Sequence, residues 1–288
     1  MKRLFLSVIM VLCMFVPVSA ELTPAEKAQL QFNEDGSFRI MNLSDIQDGA
    51  RLLSITEKFI EAAIEAEKPD LIILTGDNIA GNTLSEEKTE TAIREVMDVL
   101  DPYGIPVAIV FGNHDEESGV NKEEQMAIYN QYECSISYDD GDALWGCGTY
   151  NIPVYSSTDK TKVVFNCWLF DSGNRDEDGG YDHVKKDQLD WYKAKSAELK
   201  AANGGKVVPS IAFQHIIVPE SYDALKQVKH ASPYTYKGIY PKKIVAVLNW
   251  DPTAQASYSL AELKKLGAHN MNTIIGYVND NVNLSRFM

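Results

Sequence analysis

The chain has 288 residues, is 45% hydrophobic and carries a formal net charge of −14 at pH 7, a length that suits one large α/β domain better than several small ones. Such acidity repels nucleic acid and anionic membrane surfaces, and no local basic patch interrupts it. Three of the four cysteines follow residue 20 and none forms a Cys-x-x-Cys, which excludes a zinc knuckle and a thioredoxin-like redox site.

At the start, Lys2 and Arg3 precede an apolar run from Leu4 to Val16, followed by Pro17 and the small residues of Val18-Ser19-Ala20. This order reads as a secretory signal peptide over 1–20, cut after Ala20; the run is short for a membrane span. The expected mature domain, 21–288, is therefore extracellular or periplasmic and has no stable membrane anchor. It holds 25 basic groups against 41 acidic ones, because residues 1–20 contain two of the 27 basic groups and no acid. Export permits a disulfide. Cys134 and Cys147 flank the polar turn "SISYDDGDALWG" and could pair, whereas Cys167 sits in an apolar run and reads as a buried thiol.

Beyond the leader, strand-like runs alternate with helical periods, the pattern of an α/β fold. Residues 37–45 read as a strand. Residues 52–70 place Ile55, Phe59, Ile60, Ala63 and Ile64 at helical spacing before a Pro stop. A buried strand over 71–78 follows, then a helix over 85–104 opened by Ser85 with acids in its first turn. Residues 106–115 form another strand and 121–132 a short helix. Residues 148–174 read as two antiparallel strands around a Ser-Ser-Thr-Asp-Lys turn. A helix over 184–205 ends in Gly, and 206–215 is a strand with Pro209 near its start. A helix over 259–268 and a strand over 271–278 close the series.

Four of these strands end in polar packets: Ser44-Asp45, Gly76-Asp77-Asn78, Gly112-Asn113-His114-Asp115 and Gln214-His215. Ligands of open α/β sheets bind outside the carboxyl ends of the strands, so Asp45, Asp77, Asn113 and His215 are expected to converge at one rim. Singly, each has a plainer reading, as a helix cap, a turn former or a core histidine. Together, two carboxylates, an amide oxygen and an imidazole suit Mn, Fe, Zn or Mg. A carboxylate such as Asp77 can bridge two ions roughly 3.5–4 Å apart.

With these blocks in order, the sequence resembles the calcineurin-like metallophosphoesterase superfamily, in its purple-acid-phosphatase-like branch. "YNIPVYSS", "WLFDSGN" and "YDHVKKDQLDWY" are similar to that branch too. The resemblance covers about residues 36–280. It implies an αββα sandwich, two mixed β-sheets flanked by helices, and two divalent metal ions acting on a small phosphoester substrate through a metal-activated water. Asp77 would bridge the ions, Asp45 would bind the first, and Asn113 and His215 the second. His114 would stabilise or protonate the leaving group, and Asp115 or Glu116 would orient it.

Two departures accompany the resemblance. The family's Asp-x-His stands here as Asp45-Ile46-Gln47, so Gln47 would ligate through an amide oxygen, with Asp48 beside it. The closing Gly-His-x-His stands as Gly276-Tyr277-Val278-Asn279, and the chain stops at Met288 where the family normally continues. His269 is expected at the opposite end of that strand. Two readings stay open: a working phosphoesterase with a weakened metal shell, or a degenerate or truncated descendant acting as a binding protein. His183 and His230 read as solvated, and residues 233–243, "PYTYKGIYPKK", as a surface loop or a phosphate contact. No Gly-x-Ser-x-Gly and no P-loop is present.

Overall fold

The computed structural model describes residues 22–140, 144–218 and, for backbone only, 274–277. Its helices and strands, in chain order, are α1 Pro24–Ala28, β1 Ile40–Ser44, α2 Ser54–Glu67, β2 Leu71–Thr75, α3 Glu86–Leu100, β3 Val107–Val110, α4 Lys122–Tyr129, β4 Tyr150–Tyr155, β5 Val163–Leu169, α5 Lys186–Ala202, β6 Ser210–Phe213 and β7 Ile274–Tyr277. One of three 3-10 turns among the described residues, Asp115–Ser118, lies just beyond the site end of β3. The signal-peptide reading of 1–20, the helix over 259–268, His230 and 233–243 lie outside the described residues. Among the described residues no helix is long and apolar enough to cross a membrane.

The strands build two sheets. One has the order β3-β2-β1-β7 and is parallel throughout. The other has the order β4-β5-β6, with β4 antiparallel to β5 and β6 parallel to it. The fold is thus the expected α/β sandwich of two sheets with flanking helices; among the described strands, only the second sheet is mixed. The β4–β5 hairpin falls where the sequence places it, and Pro209 stands just before β6, where its missing N–H costs no ladder bond.

Both faces of the parallel sheet are covered, so β2 is buried along its whole length and apolar in its first four residues. Ile72 and Leu74 face one way, into a core with Ile60 and Ile64 of α2 and Ile93 and Met97 of α3. Leu71 and Ile73 face the other way, against Tyr150, Ile152, Cys167 and Leu169 of the second sheet. The strand period of two thus glues one element to two layers. Each such aliphatic side chain contributes about 1.5–3 kcal/mol on full burial.

Helix ends follow local chemistry. Asn121 opens α4 with a capping box: its Oδ1 accepts the Glu124 N–H at 2.8 Å, and Glu124 accepts the Asn121 N–H at 3.3 Å. Ser85 stands at the N-cap of α3, but its side chain makes no cap hydrogen bond; Glu86 and Glu87 favour that end through the helix dipole instead.

The expected disulfide is not formed. Cys134, Cys147 and Cys167 are free and buried. Cys134 bonds its carbonyl to the Val107 N–H at the start of β3. Gly148, next to Cys147, packs near Phe111 beyond the strand's other end. Both thiols serve as small apolar groups in the helix-side core.

Candidate metal centre

The parallel sheet delivers three of the four expected ligand positions. Asp45 follows β1, Asp77 lies two residues past β2, and Asn113 lies three past β3. His215 comes from the second sheet, two residues past β6. The rim is therefore one of the sandwich, not of a single sheet.

Backbone hydrogen bonds stitch these loop starts together. Asp45 N–H donates to the Gly76 carbonyl at 3.0 Å and Gln47 N–H to the Asp77 carbonyl at 3.2 Å. His114 N–H donates to Asp77 Oδ1 at 2.8 Å. Asp45, Gln47 and Asp77 all hold left-handed backbone, with φ of 56°, 45° and 50°. This conformation is costly for residues with a Cβ and concentrates at functional sites. Two glycines permit the close approach. A Cβ on Gly76 would sit 2.7 Å from the His215 ring, and one on Gly112 would sit 2.2 Å from Asp77 Oδ1.

His215 Nδ1 lies 3.0 Å from the Thr75 carbonyl. A carbonyl only accepts, so Nδ1 carries the proton and donates, which leaves Nε2 to face the acids. Nε2 is 3.3 Å from Asp77 Oδ2. Ligand atoms of Asp45, Asp77 and His215 all lie within 4.8 Å of one another. Without a cation, burial pushes the Asp45 carboxyl up, against the pull of His215. Burial would also raise Asp77, but the His215 ring and the His114 N–H outweigh it and hold its pKa low. Burial would lower His215, yet its bond to Asp77 and the charges of Asp77 and Asp45 raise it to about 9. A buried and a half-buried carboxylate beside an imidazole whose other nitrogen is tethered to a carbonyl form a donor set that fits a borderline divalent cation.

The remaining expected residues divide. Asn113 is buried between the Gly112 N–H, which binds Asp115, and the His114 N–H, which binds Asp77. Gln47 reaches Asp77 through its amide nitrogen, Nε2 to Oδ2 at 2.7 Å, and so supports the carboxylate as a donor; rotation of the amide would present its oxygen instead. Asp48 accepts the Leu53 N–H at the start of α2, at 2.8 Å, and is a structural acid.

Asp115 does not orient His114. Its buried carboxylate accepts four backbone N–H groups, from Gly112 at 2.6 Å, Asn78 at 2.8 Å, Asp77 at 3.0 Å and Ile79 at 3.1 Å. Burial, then the charge of Asp77, push its pKa up to about 7 against those N–H groups. It clamps the β2 loop to the β3 loop. Glu116 accepts from Asn174 Nδ2 at 2.7 Å and lies 3.7 Å from Lys122 Nζ. The carboxylate beside His114 is Glu117, with Oε2 2.5 Å from Nδ1. Sequence reading missed Glu117 because it took the segment as a strand end; once 115–118 is a helical turn, the three-residue spacing brings the two side chains together.

β7 lies beside β1 with Tyr277 in register with Ser44. The Gly276-Tyr277 positions, which the resemblance marks for Gly-His, thus run alongside the strand end that carries Asp45. Val278, Asn279 and His269 lie outside the described residues. His183 is half exposed, 3.4 Å from Asp182, and takes no part in the cluster.

A two-sheet α/β sandwich whose strand ends gather two carboxylates and a tethered imidazole defines a protein built to hold a metal ion. The calcineurin-like phosphoesterase family model matches residues 38–263, and the chain belongs to that family. Probable inactive purple acid phosphatase 28 of Arabidopsis thaliana is 31% identical over 227 residues, 66% of this chain and 56% of that protein. Probable inactive purple acid phosphatase 14 of the same plant is 26% identical over 76% of this chain and 65% of its own length. Phosphatase DCR2 of Saccharomyces cerevisiae is 26% identical over 76% of this chain and 41% of its own length. The chain therefore spans less than two thirds of each of these relatives.

Proposed function

We propose that this chain is an exported, metal-dependent phosphoesterase that hydrolyses a phosphate mono- or diester. The observation that carries the reading is the convergence of Asp45, Asp77 and His215, with His215 Nδ1 tied to Thr75 so that Nε2 is free to ligate. These three residues, with Asn113 and a rotated Gln47, would hold the divalent metal. Mn, Fe, Zn and Mg all suit these donors. A bound divalent ion supplies Lewis-acid polarisation of a phosphoryl oxygen and a nucleophilic water near neutral pH.

The chain's own residues do the rest. Glu117 holds His114 by Nδ1, which leaves Nε2 as the ring's other nitrogen for the substrate. From there His114 gives its proton to the leaving-group oxygen as the phosphorus–oxygen bond breaks. Asp115 keeps the Asp77 and Asn113 loops at fixed separation through its four N–H bonds, so the donors need no rearrangement.

The test strips the purified protein with a chelator. It then adds Mn, Fe, Zn or Mg singly while following p-nitrophenyl phosphate and bis-p-nitrophenyl phosphate. Hydrolysis that returns with metal supports the reading; a folded protein that binds metal yet hydrolyses neither ester overturns it.

A second reading, binding without turnover, draws on two observations. Tyr277 stands in register with Ser44, the residue before Asp45, where the resemblance expects histidine. Three relatives are named as probable inactive purple acid phosphatases. The same assay separates the two readings. Export rests on the basic–apolar–small order of residues 1–20; N-terminal sequencing of the native protein should begin at Glu21, and a Met1 start would refute it.

A further inference from the structure

The loop that follows β5, residues 170–174, touches segments from both halves of the candidate centre. Towards β6, Phe170 N–H donates to the Phe213 carbonyl at 3.0 Å, and the fully buried Ser172 accepts the Ile216 N–H on Oγ at 2.9 Å. Phe213 and Ile216 flank Gln214-His215 in the chain. Towards the 115–118 turn, Asn174 Nδ2 donates to Glu116 Oε2 at 2.7 Å. The fully buried Asp171 takes Lys122 Nζ on both oxygens, at 2.8 and 3.0 Å, and that ammonium lies 3.7 Å from the same Glu116 oxygen.

The loop therefore holds Glu116 twice, directly from Asn174 and through Lys122 from Asp171. The next residue is Glu117, whose carboxylate meets His114 Nδ1. The loop is itself fixed. Asp171 accepts the Gly173 N–H at 2.9 Å and the Cys147 N–H at 3.0 Å. A Cβ on Gly173, whose φ is 76°, would sit 2.7 Å from both Asp182 and Trp145. The amide of Asn174 has one useful orientation, because turned over it would set its oxygen against the Glu116 carboxylate. With the acceptor charged, the Asn174–Glu116 bond is roughly twice as strong as one between neutral groups. None of these bonds ends on a candidate ligand, so the loop acts on the centre through the ligands' chain neighbours.

We propose that Asn174 is a positioning residue of the candidate centre: through Glu116 it fixes the turn that aims His114, against the His215 segment that Ser172 ties to the same loop. The proton-donating role of His114 rests on the phosphoesterase reading; the placing of the turn does not. A misplacement of about 1 Å can cost on the order of a hundredfold in rate, so one bond that holds this turn is felt in kcat.

The experiment compares the full chain with three variants. Asn174→Ala deletes the bond, and Asn174→Asp sets a carboxylate against Glu116. Asn174→Asp combined with Glu116→Gln restores the bond with donor and acceptor exchanged. Amide hydrogen exchange by NMR is read first, without metal. The N–H groups of His114, Glu117 and Gly119 bond to Asp77, to the His114 carbonyl and to the Glu116 carbonyl. They should exchange about tenfold faster in Asn174→Ala and Asn174→Asp and return to the parent rate in the double variant, while the amides of β2 stay within about twofold throughout. Turn amides that keep their rate, β2 amides that speed up equally, or a double variant no better than Asn174→Asp overturn the proposal. Turnover of phenyl phosphate with Mn is read second, because its poor leaving group needs the proton. In Asn174→Asp kcat should fall about tenfold with KM and bound Mn unchanged, and it should recover in the double variant. A kcat that stays level while the turn amides speed up denies Asn174 the positioning role. A parent protein that hydrolyses nothing defeats the phosphoesterase reading alone, and the exchange rates then decide the proposal.

Discussion

His215 reaches across the sandwich to Thr75: its Nδ1 donates to the carbonyl of the last residue of β2, the strand that delivers Asp77 two residues later. One strand end therefore supplies both a carboxylate and the group that aims the imidazole at it. Nε2 then lies 3.3 Å from Asp77 Oδ2. The distance between these two donors depends on how the two sheets pack and on no local sequence rule.

Asp77 should be indispensable. Asp77→Asn replaces a carboxylate, which can face two cations, with an amide that has one oxygen to offer. Metal content by atomic absorption should fall to background and hydrolysis with it, while the far-ultraviolet circular dichroism stays that of the parent. An Asp77→Asn protein that keeps stoichiometric metal would place the centre elsewhere.

Metal binding should be tied to pH through His215. In the metal-free protein the pKa of this ring is raised to about 9, so at pH 7 Nε2 carries a proton that a cation must displace. Apparent affinity should climb from pH 6 towards pH 9, with proton release visible when calorimetry is run in buffers of different ionisation enthalpy. The same shift has a stability sign. A raised folded pKa stabilises the metal-free protein fully below about 6.5, the ordinary histidine value, and that contribution is lost as pH rises through about 9. His215→Gln should remove both dependences.

Asp115 and Glu117 should separate in their effects although they stand two residues apart. Asp115→Asn strips a buried acceptor from four N–H groups and turns an amide NH₂ towards at least one of them. Stability should fall on the order of 3 kcal/mol in a denaturant titration. Glu117→Gln keeps the shape and exposes little, so stability should shift by less than about 0.5 kcal/mol while kcat drops about tenfold or more with KM unchanged. A Glu117→Gln enzyme with an unchanged pH–rate profile would remove Glu117 from its role at His114.

The thiols should be silent in the native state. Burial pushes Cys134, Cys147 and Cys167 up to about 12. Only about one in ten thousand is then thiolate at pH 8, and thiolate is the reactive form. Iodoacetamide should leave all three unmodified in native protein and alkylate all three in denaturant without any reductant. A protein that needs reductant to be alkylated would contain the Cys134–Cys147 bridge that the fold does not form.

Much of the fold was legible because its signals are local. The apolar run of β2, the helical spacing of α2, the acids that open α3 and the Ser-Ser-Thr-Asp-Lys hairpin turn each declare an element within a few residues. The placement of the candidate ligands was legible too: a strand has one end at which a ligand can wait, and Asp45, Asp77, Asn113 and His215 each follow one. The sequence thus determined which residue types stand at which strand ends. Only the tertiary structure decided their partners. It put β6 in a second sheet, so that His215 arrives from across the sandwich. It turned 115–118 into a helical turn, so that Glu117 and not Asp115 meets His114. It spent Asp115 on four N–H groups, gave Gln47 a donor's role, and left Cys134 and Cys147 as unbridged buried thiols. Each of these outcomes is a choice among neighbours remote in sequence or among carboxylates of identical chemistry, settled by which groups the packed layers bring within hydrogen-bond reach.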